Sequence, residues 1–196
     1  MCENCKSKLK ADLCRYGGDY KKIPKFQKWF RKYQDSNNHL LKILYKVLFV
    51  LNRKKNFVEM SANSKIGKGL YIGHPFAITI NPESIIGENC NIHKGVTIGQ
   101  ENRGKKKGTP SIGNEVWIGI NSTIVGNVRI GNDVLISANS FVNFDVPDHS
   151  IVIGNPGKII PKENATKDYI NNKYNDTCKW ISKNKKANYI IISITI

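Results

Sequence analysis

His74 stands where a side chain could do acid–base chemistry. From Ile66 onward an aliphatic residue recurs every six positions, at Ile66, Ile72, Ile80, Ile86, Ile92 and Ile98, except that the step from Ile72 to Ile80 is eight residues. The buried positions on either side cannot slip without exposing themselves, so the additional residues must be extruded at a corner. His74 lies in that extrusion. An imidazole there suits a general base, which takes a hydroxyl proton as the oxygen attacks and hands it to the leaving group. His93 and Lys94 are the next groups along the pattern that could support such chemistry, by orienting His74 or an acceptor. The alternative for His93 is a surface histidine at a contact between copies. His39 and His149 belong to no motif.

The elements that position these residues follow from the repeat. It runs through Met60, Ile66, Ile72, Ile80, Ile86, Ile92, Ile98, Ile112, Ile118, Ile124, Ile130, Ile136 and Val142. Dense β-branched residues and recurrent glycines disfavour a helix, and a hexapeptide period with buried aliphatics describes a β-helix. With three hexads per turn the positions from Ile66 to Val142 build about four turns. Ile72, Ile92, Ile118 and Ile136 then share one face, Gly73 lies under His93, His74 lies under Lys94, and Trp117 and Gly119 come from the turn above. A second interruption, residues 100–111, protrudes between Ile98 and Ile112 and carries Arg103, Lys105, Lys106 and Lys107. Such a basic loop is either a solvated excursion or a screen for phosphate groups.

The expected organisation is a basic helical segment at 1–58, a β-helix at 59–160 and a tail at 161–196, giving a mainly β chain. The net charge of +16 divides as +11, +1 and +4 over those stretches. In the first, Phe26, Trp29, Phe30 and Tyr33, then Leu40, Leu44, Val47, Leu48 and Leu51, fall at helical spacing. The apolar run from Leu40 to Leu51 is too short to span a bilayer, yet with its lysines it leaves open a peripheral contact with an anionic membrane. No recognised nucleic-acid motif accompanies the charge, so no nucleic-acid partner is expected. Five irregularly spaced cysteines, including a lone CxxC at Cys2 and Cys5, read as incidental thiols rather than a disulfide scaffold or zinc site. With polar first residues in place of a secretory signal, the expectation is a cytoplasmic protein, at most at the inner face of the membrane. No metal is expected. The tail from Tyr169 reads as an Asn/Lys-rich helix followed by the apolar YIIISITI, a short helix/strand end.

The stretches KIGKGLYIGHPFAITI, SIIGENCNIHKGVTIG, EVWIGINSTIVGNVRIGNDVLISANSFV and DVPDHSIVIGNPGKII resemble the left-handed parallel β-helix of hexapeptide-repeat acyltransferases. They are similar to the serine acetyltransferase branch and its relatives that O-acetylate surface polysaccharides. The resemblance implies acetyl-CoA as co-substrate, a homotrimer with sites between subunits, and His74 as the catalytic base. It also implies acetyl-CoA contacts at Trp117, Gly119, Ser137, Ala138 and Lys158. Two departures stand out. Serine acetyltransferases carry an aspartate before the catalytic histidine, where this chain has Gly73, and a histidine in the extended loop, where it has Thr109. Asp12 is the nearest counterpart of their helical-domain aspartate, and Asp12, Arg15 and Tyr16 in ADLCRYG resemble the start of polysaccharide-locus members. The expected activity is therefore acetyl transfer to a sugar hydroxyl of a surface polysaccharide or its precursor. Serine acetylation for cysteine synthesis is the alternative, and a β-helix serving assembly without catalysis is the alternative of another class.

Overall fold

The computed structural model describes residues 7–175. Three helices, α1 (Lys8–Arg15), α2 (Lys25–Asp35) and α3 (His39–Lys54), precede a coil of short strands. Asn38 starts α3 by accepting from the Leu41 amide at 3.1 Å, which satisfies one of the orphan donors of a helix N-terminus.

The coil is a left-handed β-helix with three faces. One face stacks β1 (Lys65–Ile66), β4 (Ile85–Ile86), β7 (Ser111–Ile112) and β10 (Arg129–Ile130). Another stacks β2 (Tyr71–Gly73), β5 (Asn91–His93), β8 (Trp117–Ile118), β11 (Val134–Ile136), β13 (Ser150–Ile153) and β14 (Lys158–Pro161). The third stacks β3 (Thr79–Ile80), β6 (Thr97–Gly99), β9 (Thr123–Val125) and β12 (Phe141–Val142). Pairing between the strands of successive turns is parallel, and among the described strands only the β13–β14 hairpin is antiparallel, beside an isolated antiparallel bridge between Glu101 and Gly108. The register joins Ile72 to Ile92, Ile92 to Ile118 and Ile118 to Ile136, so one hexad isoleucine lies on the next throughout the interior. These residues are almost fully buried. Turns approach too closely for side chains at one corner, where a Cβ on Gly67 would stand 2.6 Å from the Gly87 carbonyl.

The first turn of such a coil presents an open edge of backbone groups. The helical segment closes it. The Leu70 amide donates to Asp12 Oδ1 at 2.9 Å and the Ile72 amide to the Tyr16 hydroxyl at 2.9 Å. Arg31 donates to the Ile66 and Gly67 carbonyls at 3.0 and 2.6 Å, and Gln27 to the Leu70 carbonyl at 2.9 Å. Phe26, Phe30 and Phe49 add an apolar plug that is continuous with the core beneath Val58, Met60 and Ala62.

The described residues 162–175 form no helix; most of the expected helix/strand tail, the YIIISITI stretch included, lies outside the described residues. The described part of this segment is held instead by side-chain hydrogen bonds. Asp133 accepts from the Ala165 and Thr166 amides at 3.0 and 2.9 Å and from the Thr166 hydroxyl at 2.6 Å. Those donors, with His149 at 2.9 Å, hold the Asp133 carboxyl below the usual carboxylate range despite its partial burial. Cys90 is a free, buried thiol.

Candidate active site

The extruded corner is a short excursion pinned at both ends. The Lys94 amide donates to the Gly73 carbonyl at 3.1 Å, the Gly95 amide to the Phe76 carbonyl at 3.0 Å, and the Ala77 amide to the Asn56 carbonyl at 3.0 Å. Between these ties His74 adopts φ +53° and its side chain is exposed. Corners elsewhere in the coil reach the same left-handed conformation with Asn89, Asn121 and Asn139, residues that tolerate it readily. The backbone therefore accommodates a corner residue without requiring a histidine. What the corner supplies is a fixed base for an outward-facing imidazole.

His93 lies one turn above, paired with Gly73. Its ring is half-buried against Trp117, with centroids 4.6 Å apart, and its Nδ1 is 2.9 Å from the Ile118 carbonyl. A carbonyl can only accept, so Nδ1 carries the proton and Nε2 is left as a lone-pair acceptor. Burial pushes the imidazole pKa down, and the nearby His74 adds to the lowering against the pull of the Ile118 carbonyl. That direction favours the neutral ring.

This packing accounts for the glycine before His74. A Cβ on Gly73 would stand 2.5 Å from His93 Cδ2 and 2.8 Å from His93 Nε2. No aspartate fits there while His93 keeps its hydrogen bond. Gly73→Asp is accordingly expected to lower thermal stability by about 1–3 kcal/mol, as overpacking does. The double variant Gly73→Asp/His93→Ala is expected to recover most of that loss. Thermal denaturation of the three proteins checks this, and a single variant as stable as the parent would show that the ring moves aside freely.

The register gathers several of the expected acetyl-CoA residues on the same prism edge. The Asn121 amide donates to the Lys94 carbonyl, the Gly119 amide to the Ile136 carbonyl and the Asn139 amide to the Ile120 carbonyl. His74, Lys94, Ile120 and Ala138 therefore occupy successive turns, and with a strand spacing of about 4.8 Å the column is about 14 Å long. Ala138 is exposed and Ser137 partly so. Gly119 is buried between turns, where a Cβ would meet the Ala138 amide at 2.6 Å. Trp117 is a wall of a different kind: it lies between His93, whose ring is tilted at 48° to it, and Tyr169, which meets it edge-on with centroids 5.2 Å apart. Lys158 is exposed on β14.

The basic loop leaves the coil at the next corner, after β6, so a single chain does not bring it to His74. Its base is a bridge between Glu101 and Gly108. Lys106 pairs with Asp145 at 3.3 Å and its carbonyl accepts from the Asn127 amide at 2.8 Å, while Arg103, Lys105 and Lys107 project into solvent.

Asp12 and Arg15 are placed elsewhere again. Asp12 is fully buried and accepts from Arg31, Gln27 and Leu70. Arg15 bridges the Asn171 carbonyl, at 2.7 Å, to Asn91 Oδ1, and its Nε has no partner among the described residues. Burial pushes its guanidinium down to about 10. Neither residue reaches an exposed surface beside His74, and both hold terminal segments to the coil. Sequence reasoning passed over Gln27, Arg31 and Tyr169, the residues that complete these clamps.

Two concavities, of about 680 and 560 Å³, lie beside β3 and β6 and between β11, β13 and residues 162–169. Neither includes His74.

Residues 109–143 match the family model of the bacterial transferase hexapeptide (six repeats). A serine acetyltransferase of Synechococcus elongatus is 33% identical over 128 residues, covering 65% of this chain and 52% of that protein. One from Staphylococcus epidermidis is 40% identical over 113 residues, covering 58% and 53%. The chain thus spans about half the length of these two relatives. Among solved structures, Neisseria gonorrhoeae serine acetyltransferase in complex with serine superposes with a TM-score of 0.60 at 27% identity, covering 80% of this chain and 69% of that one.

Proposed function

We propose that this chain is an acetyl-CoA-dependent O-acetyltransferase working as a homotrimer, with His74 as general base. The observation that carries the reading is the prism edge itself. A pinned, exposed imidazole stands there at the foot of a column through Lys94, Ile120 and Ala138, along which a thioester arm can lie. The acceptor hydroxyl attacks the thioester carbonyl as His74 takes its proton. Collapse of the tetrahedral intermediate breaks the carbon–sulfur bond, and the CoA thiolate leaves with that proton. His93 contributes a fixed Nε2 acceptor beside Gly73, suited to a hydrogen bond from His74 or from the acceptor.

For the acceptor, the relatives turn the expectation round. They are serine acetyltransferases, whereas the polysaccharide relation rests on the sequence resemblance alone, so L-serine becomes the first acceptor to test. One observation favours a sugar hydroxyl as a second reading. No acidic residue hydrogen-bonds His74 among the described residues, the glycine before it is sealed by His93, and Asp12 is buried, so none of these positions offers a carboxylate to an ammonium group.

The test is CoA thiol release from acetyl-CoA with L-serine and with a panel of sugars, with mass spectrometry of the products. O-acetylserine is the expected product. Acetylated sugar without O-acetylserine would transfer the proposal to the second reading, and absence of transfer to any hydroxyl would overturn it. The loop lysines fit a role over the neighbouring subunit's nucleotide, since His74 and the loop occupy different corners of one chain.

A further inference from the structure

α3 packs on α2 through one side only. Tyr45 stacks on Trp29 with centroids 5.9 Å apart and Phe49 is buried against Phe30. At 100° per residue the opposite side carries Leu40, Ile43, Leu44, Val47 and Leu51, each of them 49 to 76% exposed. Scattered exposed leucines are ordinary, but five in one stripe form a contiguous apolar patch that marks a docking surface. The stripe is flanked by charge of one sign. Lys46, Lys54 and Lys55 are exposed, and Lys42 and Arg53 lie nearer α2. No acidic residue occurs between Ser36 and Val58.

We propose that α3 docks the protein onto an anionic lipid surface, lying in the plane of the interface with this stripe inserted and the flanking lysines at headgroup level. An apolar face edged by Lys and Arg is what binds such an interface. Charge decides against a second copy of the chain as occupant. Two α3 helices face to face would oppose lysine to lysine with no carboxylate to pair them, whereas anionic headgroups supply the missing countercharge. Among the described residues no helix is long and apolar enough to cross a membrane, so the contact is peripheral. Phe57, just past the end of α3, meets Phe76 at 5.3 Å. Docking through α3 therefore brings the His74 corner close to the lipid. The inference stands apart from the acetyl-transfer reading, since it rests on α3 alone.

The full chain would be sedimented with vesicles of phosphatidylcholine, alone or containing phosphatidylglycerol, at low and high salt. Binding to the anionic vesicles, weaker by more than about tenfold on phosphatidylcholine alone and lowered by salt, is expected. Leu44→Asp/Val47→Asp should abolish it with helicity and sedimentation mass unchanged. Lys46→Gln/Lys54→Gln/Lys55→Gln, at exposed positions, should weaken only the preference for anionic lipid. A parent protein that ignores both vesicles, an aspartate variant that binds as before, or one that drops to a smaller oligomer would overturn the proposal, the last by assigning the face to contacts between copies.

Discussion

His74→Asn is expected to reduce acetyl transfer by about 10²- to 10⁴-fold, the range a general base contributes, while leaving the fold intact. Asparagine is chosen because Asn89, Asn121 and Asn139 hold the same left-handed backbone at other corners. The variant therefore removes the proton acceptor without straining the turn, as alanine would. The imidazole is exposed and packs no core, so the melting temperature should stay within a degree or two of the parent, as for a surface substitution. Initial rates of CoA release at saturating acetyl-CoA, beside thermal denaturation followed by circular dichroism, separate the two effects. A folded variant that transfers acetyl groups at the parental rate would remove the general-base role from His74. His93→Leu makes the companion measurement. If His93 Nε2 orients the base, kcat falls with little change in KM, whereas a hydrogen bond to the acceptor would appear in KM.

The coil was legible in the sequence because its constraint is local and repeated. A buried isoleucine every six residues leaves one register, and the structure pairs Gly73 with His93 as the hexad count requires. The eight-residue step likewise required a corner at His74, since neither flanking isoleucine can leave the interior. The packing of the ends was illegible because it depends on single contacts between distant residues. Asp12 meets Leu70, and Asn91 meets Tyr169, through side chains no periodicity links. A faint signal was present. Asp12 and Tyr16 are four residues apart, as are Gln27 and Arg31, so each pair shares a helix face. Polar pairs on the faces that also carry Ala11, Phe26 and Phe30 toward the interior point to buried hydrogen bonds. Trp117 shows the same limit. The hexad count puts it on the correct face, but only the fold shows that Tyr169 already covers it.

Asp12→Ala is expected to cost about 3–5 kcal/mol of stability, the penalty for breaking a fully buried ion pair. Arg31 donates to both Asp12 oxygens, from Nε at 2.8 Å and from its amino group at 3.2 Å, and both side chains are wholly buried. Removing the carboxylate leaves a guanidinium without countercharge and the Leu70 amide without an acceptor, each unsatisfied in the interior. Burial pushes the Asp12 carboxyl up, against Arg31, Gln27 and the Leu70 amide, so these partners are what keep charge tolerable there. Asp12→Leu/Arg31→Met should recover part of the loss, since an apolar pair removes the orphaned charge. Full recovery is not expected, because Arg31 also serves the Ile66 and Gly67 carbonyls at the coil edge. Urea denaturation measures the free energies, and amide exchange at Leu70 and Ile72 reports whether the first turn frays. The same variant separates an edge cap from an acceptor-binding carboxylate. A cap predicts lost stability with the acceptor KM of the surviving folded protein little changed, whereas a raised KM at parental stability would return Asp12 to the substrate.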